Sequence, residues 1–161
     1  MGNENSHIGT TFETAVRNYL AANACIDVRR EVKHGAKDQG DLRATVHGHS
    51  CVIECKRVER ATPKLMADWR LQTTVEQQNA GADMGVLVTW RKGKGYRWDA
   101  SPTGQRAKSF GENLAHMTVE TLLMLIDAKG EVAAHELALQ TWVTLPLSEV
   151  AVNARDWEVV E

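Results

Sequence analysis

The sequence predicts an α/β fold in one domain, with helices flanking a mixed sheet. Three observations lead there. A helical hydrophobic pattern opens the chain, three short strand patterns follow with brief links, and a second helix runs into a short apolar strand. Brief links favour antiparallel neighbours, whereas a helical crossover can add a parallel strand. The expected core order is αβββαβ.

Each element has its own signal. Phe12, Val16, Tyr19 and Leu20 fall at helical spacing within 8–22; Thr10 or Thr11 can cap that helix, with Glu13 near its start. Residues 25–31 alternate as a strand, with Ile26 and Val28 on one face and Asp27 and Arg29 on the other. After the polar loop at 34–40, a second strand runs from Asp41 to Val46, and His47 to Ser50 forms a hairpin turn. Cys51 to Lys56 is a third strand, apolar and then abruptly charged. Pro63 suits the first turn of a helix reaching about Ala80, with Gly81 as its stop. Gly85 to Trp90 is a short buried strand. Farther on come a basic glycine loop at Arg91 to Gly95 and an apolar helix from Thr118 to Ala128. A last strand, Leu139 to Leu145, is ended by Pro146. The single domain, 1–161, then has a core at about 8–98 and 139–150, and 99–138 reads as an insertion.

Composition removes several classes. At 161 residues the chain has the size of one domain, and 43% hydrophobic with 25% charged residues is ordinary for a globular protein. The longest apolar run, Leu122 to Ile126, is too short to span a bilayer, and the opening residues lack the pattern of a signal peptide. Three cysteines do not make a disulfide framework, so a cytoplasmic setting is expected. The net charge of −2 argues against nucleic acid only as a sum. Residues 29–70 hold ten Lys or Arg against six Asp or Glu, and residues 91–108 hold six against one. The acidity lies in 109–161, with nine acidic and two basic residues. Phosphate contacts depend on local Lys and Arg, so DNA stays a candidate partner.

An acid, any residue and a lysine is a weak motif, and it occurs three times here, as Glu31-Val32-Lys33, Glu54-Cys55-Lys56 and Asp127-Ala128-Lys129. Only the second ends an apolar strand. Strand residues two apart share a face, so Glu54 and Lys56 point together while Cys55 turns into the core. Pairing across the expected hairpin brings Asp41 beside them. Two converging carboxylates make a hard oxygen site suited to Mg2+ or Mn2+, with the Cys55 backbone carbonyl as a further ligand. Such an ion activates water and offsets charge on a phosphodiester. Lys56 can orient that water or stabilise the transition state. Glu13 is a candidate extra ligand or water contact.

Gly9-Thr10-Thr11-Phe12-Glu13-Thr14-Ala15-Val16, then Gly40-Asp41, then Val52-Ile53-Glu54-Cys55-Lys56, resembles the PD-(D/E)XK nuclease superfamily. Within it, the likeness is to archaeal-type Holliday-junction resolvases and related actinobacterial and phage endonucleases. The resemblance implies a restriction-endonuclease-like αβββαβ fold and a metal site built from Glu13, Asp41, Glu54 and Lys56. It also implies a glutamine or glutamate from the second helix. Gln72 and Glu76 both qualify, and Gln72 is the nominated residue. Where the family often has Pro-Asp, Gly40-Asp41 reads as a harmless variant. The implied activity is Mg2+- or Mn2+-dependent DNA cleavage, with a four-way junction as substrate and a homodimer as the working form. Arg29, Arg30, Lys33, His34, Lys37, Arg57, Arg91, Lys92 and Lys94 are the expected DNA contacts.

Blander readings stand beside these. Glu54 with Lys56 can be a surface ion pair on an edge strand, and Glu13 a first-turn acid favourable to the helix dipole. Cys51 and Cys55 read as buried small apolar side chains, not zinc ligands. His47 and His49 read as exposed turn residues; Trp69, Trp90 and Trp142 read as core. Val119, Leu122, Leu123 and Ile126 form a core or dimer stripe. Two other functions remain: a repair, nicking or restriction-type nuclease, and a non-catalytic DNA-binding or assembly protein on a nuclease fold.

Overall fold

The computed structural model describes residues 4–24, 26–31, 38–95, 109–126 and 140–155. The elements are α1 (Glu4–Ala24), β1 (Val28–Arg30), β2 (Leu42–Val46), β3 (His49–Lys56), α2 (Pro63–Ala80), β4 (Met84–Thr89), β5 (Leu114–Thr118), α3 (Val119–Leu125), β6 (Trp142–Pro146) and α4 (Leu147–Asn153). The strands form one six-stranded sheet in the order β1-β2-β3-β4-β5-β6. Only β3 and β4 are parallel, and α2 is the crossover between them. The expected α/β class and mixed sheet are present.

Helices cover both faces of the central strands. On one face Phe12, Val16 and Leu20 of α1, Leu125 of α3 and Leu147 and Val150 of α4 join Cys51, Ile53, Cys55, Val86 and Val88 in one core. On the other, α2 packs on β3 and β4 and buries Trp69, Thr73 and Glu76. All six residues of β4 are therefore buried, as expected of a strand between two helical layers.

The β2–β3 turn is tighter than the sequence suggests. His47 and Gly48 have φ of +50° and +81°, which fits a two-residue hairpin turn whose twist matches its strands. His49 and Ser50 instead pair with Val46 and Thr45. The imidazole Nε2 of half-buried His47 lies 2.9 Å from the Asn153 carbonyl oxygen, tying the hairpin to α4.

Two differences change the architecture. The helix α1 begins at Glu4, so Glu13 is mid-helix and no first-turn acid. The stretch 99–138 is not simply an insertion: Leu114–Thr118 forms β5, hydrogen-bonded between β4 and β6. Its neighbour α3 stops at Leu125; Thr121 and Leu125 are its buried residues, and of the expected stripe Leu122 packs partly buried against the core. The last strand starts three residues later than expected, at Trp142. No helix among the described residues is long and apolar enough to cross a membrane.

A candidate carboxylate site where the parallel strands end

Strand β3 carries the expected motif into the middle of the sheet. Glu54 is only 3% exposed, which excludes an exposed ion pair on an edge strand. Asp41 stands at the entrance to β2. Its backbone N–H donates to the Ile53 carbonyl at 3.2 Å, and its Oδ2 accepts the Cys55 N–H at 2.9 Å. Asp41 is thereby fixed beside the Glu54–Lys56 end. The Lys56 ammonium forms a salt bridge with Glu54 Oε1. Cys55 turns its thiol into the core between them, where burial pushes it well up; burial likewise pushes Cys51 up to about 12. Both thiols are free and buried, as expected of small apolar side chains.

The second helix supplies two residues. Gln72 Nε2 donates to Glu54 Oε1 at 3.1 Å and to Glu76 Oε1 at 2.6 Å. Gln72 and Glu76 therefore both face the site, and the choice between them disappears. Glu76 is 1% exposed, and its Oε2 is buried without a hydrogen-bond donor. Burial is the first cause that raises the Glu54 carboxyl to about 9; the Asp41 charge adds to it, and Lys56 offsets part. Burial also raises Glu76, with the Asp38 charge behind it, while hydrogen bonds from Gln72 and Glu54 work the other way. A bond between two carboxyls exists only when one holds a proton, so Glu76 Oε2 has no donor once both are ionised.

Gly40 makes room for this cluster. Its φ is +87°, and an added Cβ would lie 2.5 Å from Val52 Cγ1 and 3.7 Å from Glu76 Oε2. Proline holds φ near −65°. Pro-Asp is thus not interchangeable with Gly40-Asp41 here, and the glycine is a geometric requirement.

Glu13 lies on α1, across the sheet from α2, and forms a salt bridge with Arg30. Its charge reaches Cys55, whereas the charges bearing on Glu54 are those of Asp41, Lys56 and Glu76. Among the expected DNA contacts, Arg29 bonds Asp27 at 2.7 Å, Arg30 holds Glu13, and Lys94 pairs with Glu112. The Arg57 guanidinium lies over the ring of half-buried Trp90 at 5.4 Å, and that of Arg70 over half-buried Trp142 at 5.6 Å. Arg91 and Lys92 are exposed. Lys33, His34 and Lys37 lie outside the described residues.

Sequence reasoning missed Asn113, which is fully buried beneath the basic loop. Its Oδ1 accepts the Arg91 N–H at 2.9 Å, and its Nδ2 donates to the carbonyls of Gly95 and Phe110, each at 2.9 Å. The Trp90 indole N–H donates to the Lys94 carbonyl at 2.8 Å. The loop is pinned at both ends. An asparagine three residues past an aromatic carries no local mark of this work.

The donor set suits a hard divalent cation. Asp41, Glu54 and Glu76 offer carboxylate oxygens, one of them without a donor, over a glycine whose missing Cβ leaves space. Among the described residues, no three His, Cys, Asp or Glu side chains are already gathered at ligating distance. Comparison of the chain with protein-family models, curated proteins and solved structures gives no match.

Proposed function

We propose that the chain is a metal-dependent DNA endonuclease on a PD-(D/E)XK fold, acting as a homodimer on branched DNA, with the four-way junction as its substrate. The observation that carries this reading is the buried Glu54, set beside Asp41 and Lys56 where the parallel strands β3 and β4 end. Lys56 offsets only part of the cost of burying Glu54 beside the Asp41 charge, so the pair is left short of positive charge. Asp41 and Glu54 would hold a Mg2+ or Mn2+, which would supply a water of lowered pKa and offset charge on the scissile phosphate. Lys56, held by Glu54, places an ammonium where it can orient the attacking water or meet the phosphate charge. Gln72 fixes the Glu54 rotamer from α2. Arg57, Arg91 and Lys92 gather just beyond these strand ends and suit the flanking DNA backbone. A two-fold dimer would present two such sites for symmetric cuts.

The test compares a four-way junction, a nicked duplex, a linear duplex and single strands in Mg2+. Paired symmetric nicks in the junction alone are the expected result; cutting of linear duplex instead moves the substrate to a restriction or repair type. Asp41→Ala and Glu54→Ala should abolish cleavage and leave DNA binding largely intact, and full activity in either overturns the site. The salt bridge from Lys56 to Glu54, which occupies Glu54 Oε1, favours one other reading: a non-catalytic DNA-binding protein on this fold. Retained DNA affinity without Mn2+ binding would select it.

A further inference from the structure

We propose that Glu76, on α2, is the third carboxylate of the cation site, and that it completes Asp41 and Glu54 in the place expected for Glu13. The inference rests on the metal-dependent reading above and changes its ligand set.

Three independent features lead to Glu76. It is 1% exposed, and its Oε2 has no donor, so an ionised Glu76 leaves a buried anionic oxygen uncompensated. The space above that oxygen exists because residue 40 has no side chain, and the φ of +87° at Gly40 keeps it so. Gln72 then sets the spacing, since a single amide nitrogen donates to Glu54 at 3.1 Å and to Glu76 at 2.6 Å. One NH2 group bridging two carboxylates holds them side by side, and Glu76 Oε2 is left without a donor. Gln72 is a positioning residue in this arrangement.

Charge points the same way. Asp41, Glu54 and Glu76 are three carboxylates with the Lys56 ammonium beside them, and the Asp38 charge also bears on Glu76. Ionised together, the three outweigh Lys56 by two negative charges and Asp38 adds a further one nearby, so a divalent cation would offset most of the excess. Mg2+ is usually held by one or two carboxylates and keeps several waters, so a third carboxylate can act on the ion directly or through one of those waters. Glu13 has a different employment: it comes from the opposite face of the sheet and neutralises Arg30.

The experiment titrates Mn2+ into the full chain, reading free Mn2+ by electron paramagnetic resonance. The variants are Glu76→Gln, Glu76→Asp, Glu13→Gln and Asp41→Asn, and metal-free thermal unfolding is measured for each. Glu76→Gln should weaken Mn2+ about tenfold or more, while Glu13→Gln should stay within about twofold of the parent chain. A purely structural Glu76 would lower metal-free stability on substitution. Here Glu76→Gln should raise or preserve it, because a buried charge is removed while an acceptor for Gln72 remains. Glu76→Asp, which folds with the same charge but draws the carboxylate back by one methylene, should also lose affinity. Unchanged Mn2+ affinity in both Glu76 variants, with Asp41→Asn impaired, overturns this inference and leaves the metal-dependent reading standing; a carboxyl pair that shares only a proton would give that result. Loss in Glu13→Gln in place of Glu76→Gln overturns it as well. A parent chain that binds no Mn2+ overturns the broader reading, and this one with it.

Discussion

Glu54 and His116 bias stability in opposite directions with pH. The Glu54 carboxyl is raised to about 9 in the folded chain against an ordinary 4.5. The folded state therefore holds its proton more tightly, and the associated stability is full below 4.5 and lost as pH rises through 9. In metal-free protein, Glu54→Gln should flatten the fall in urea midpoint between pH 5 and 9, and Mg2+ should stabilise the parent chain more at high pH. His116 is 4% exposed, bonded to Thr89 Oγ1 at 2.9 Å and Thr144 Oγ1 at 2.8 Å, and burial lowers it from 6.5 to about 4. Its neutral form belongs to the folded state, so stability is present above 6.5 and lost as pH falls through 4. His116→Gln should remove an acid loss of stability of about 3 kcal/mol, read from the urea midpoint between pH 7 and 4. Gly40→Ala should cost about 1–3 kcal/mol, from the positive φ and the approach to Val52, as read from the denaturation midpoint. Of these residues, Asp41, Glu54 and Lys56 were legible because strand periodicity and hairpin pairing are local rules. Glu76 was half legible: its helix was clear, but which side of that helix meets β3 is decided by packing.

The helix α2 shows why some elements are readable. The Thr62 side chain accepts the Leu65 N–H at 3.2 Å, Pro63 occupies the first turn, and Gly81 at φ +59° returns its N–H to the Gln77 and Gln78 carbonyls. All three signals are written within a few residues of the helix ends. Thr62→Ala should cost about 1 kcal/mol of stability, measured by thermal unfolding. Strand β5 shows the opposite case. Leu114 to Thr118 is short, and His116 breaks its apolar run, so no period stands out. The histidine is admissible inside the sheet only because Thr89 of β4 and Thr144 of β6 stand on either side. Asn113 has the same character. Asn113→Ala should strip the Arg91 and Gly95 backbone of partners, cost about 1–3 kcal/mol, and weaken DNA binding through the loosened loop.

At the scale of the molecule, charge is divided and not simply neutral. The strand ends that carry Glu54 and Lys56 also carry Arg57 and the loop of Arg91 and Lys92, while the acidic residues concentrate after 109. Replacing Arg91 and Lys92 by alanine should weaken DNA binding with little dependence on sequence and lower its salt slope by about 2, if each meets one phosphate. The same expectation does not extend evenly to Arg29, Arg30 and Lys94, whose carboxylate partners must first be displaced. The sequence by itself determined the α/β class, the strand that ends in Glu54-Cys55-Lys56, the limits of α2 and the regional split of charge. Each follows from periods, caps and composition that act over a few residues. The tertiary structure decided that 114–118 lies inside the sheet, that Gly40 cannot be proline, and that Glu76 stands with Glu54 while Glu13 serves Arg30. Those outcomes depend on which surfaces meet across the sheet, and burial there is set by neighbours far away in sequence.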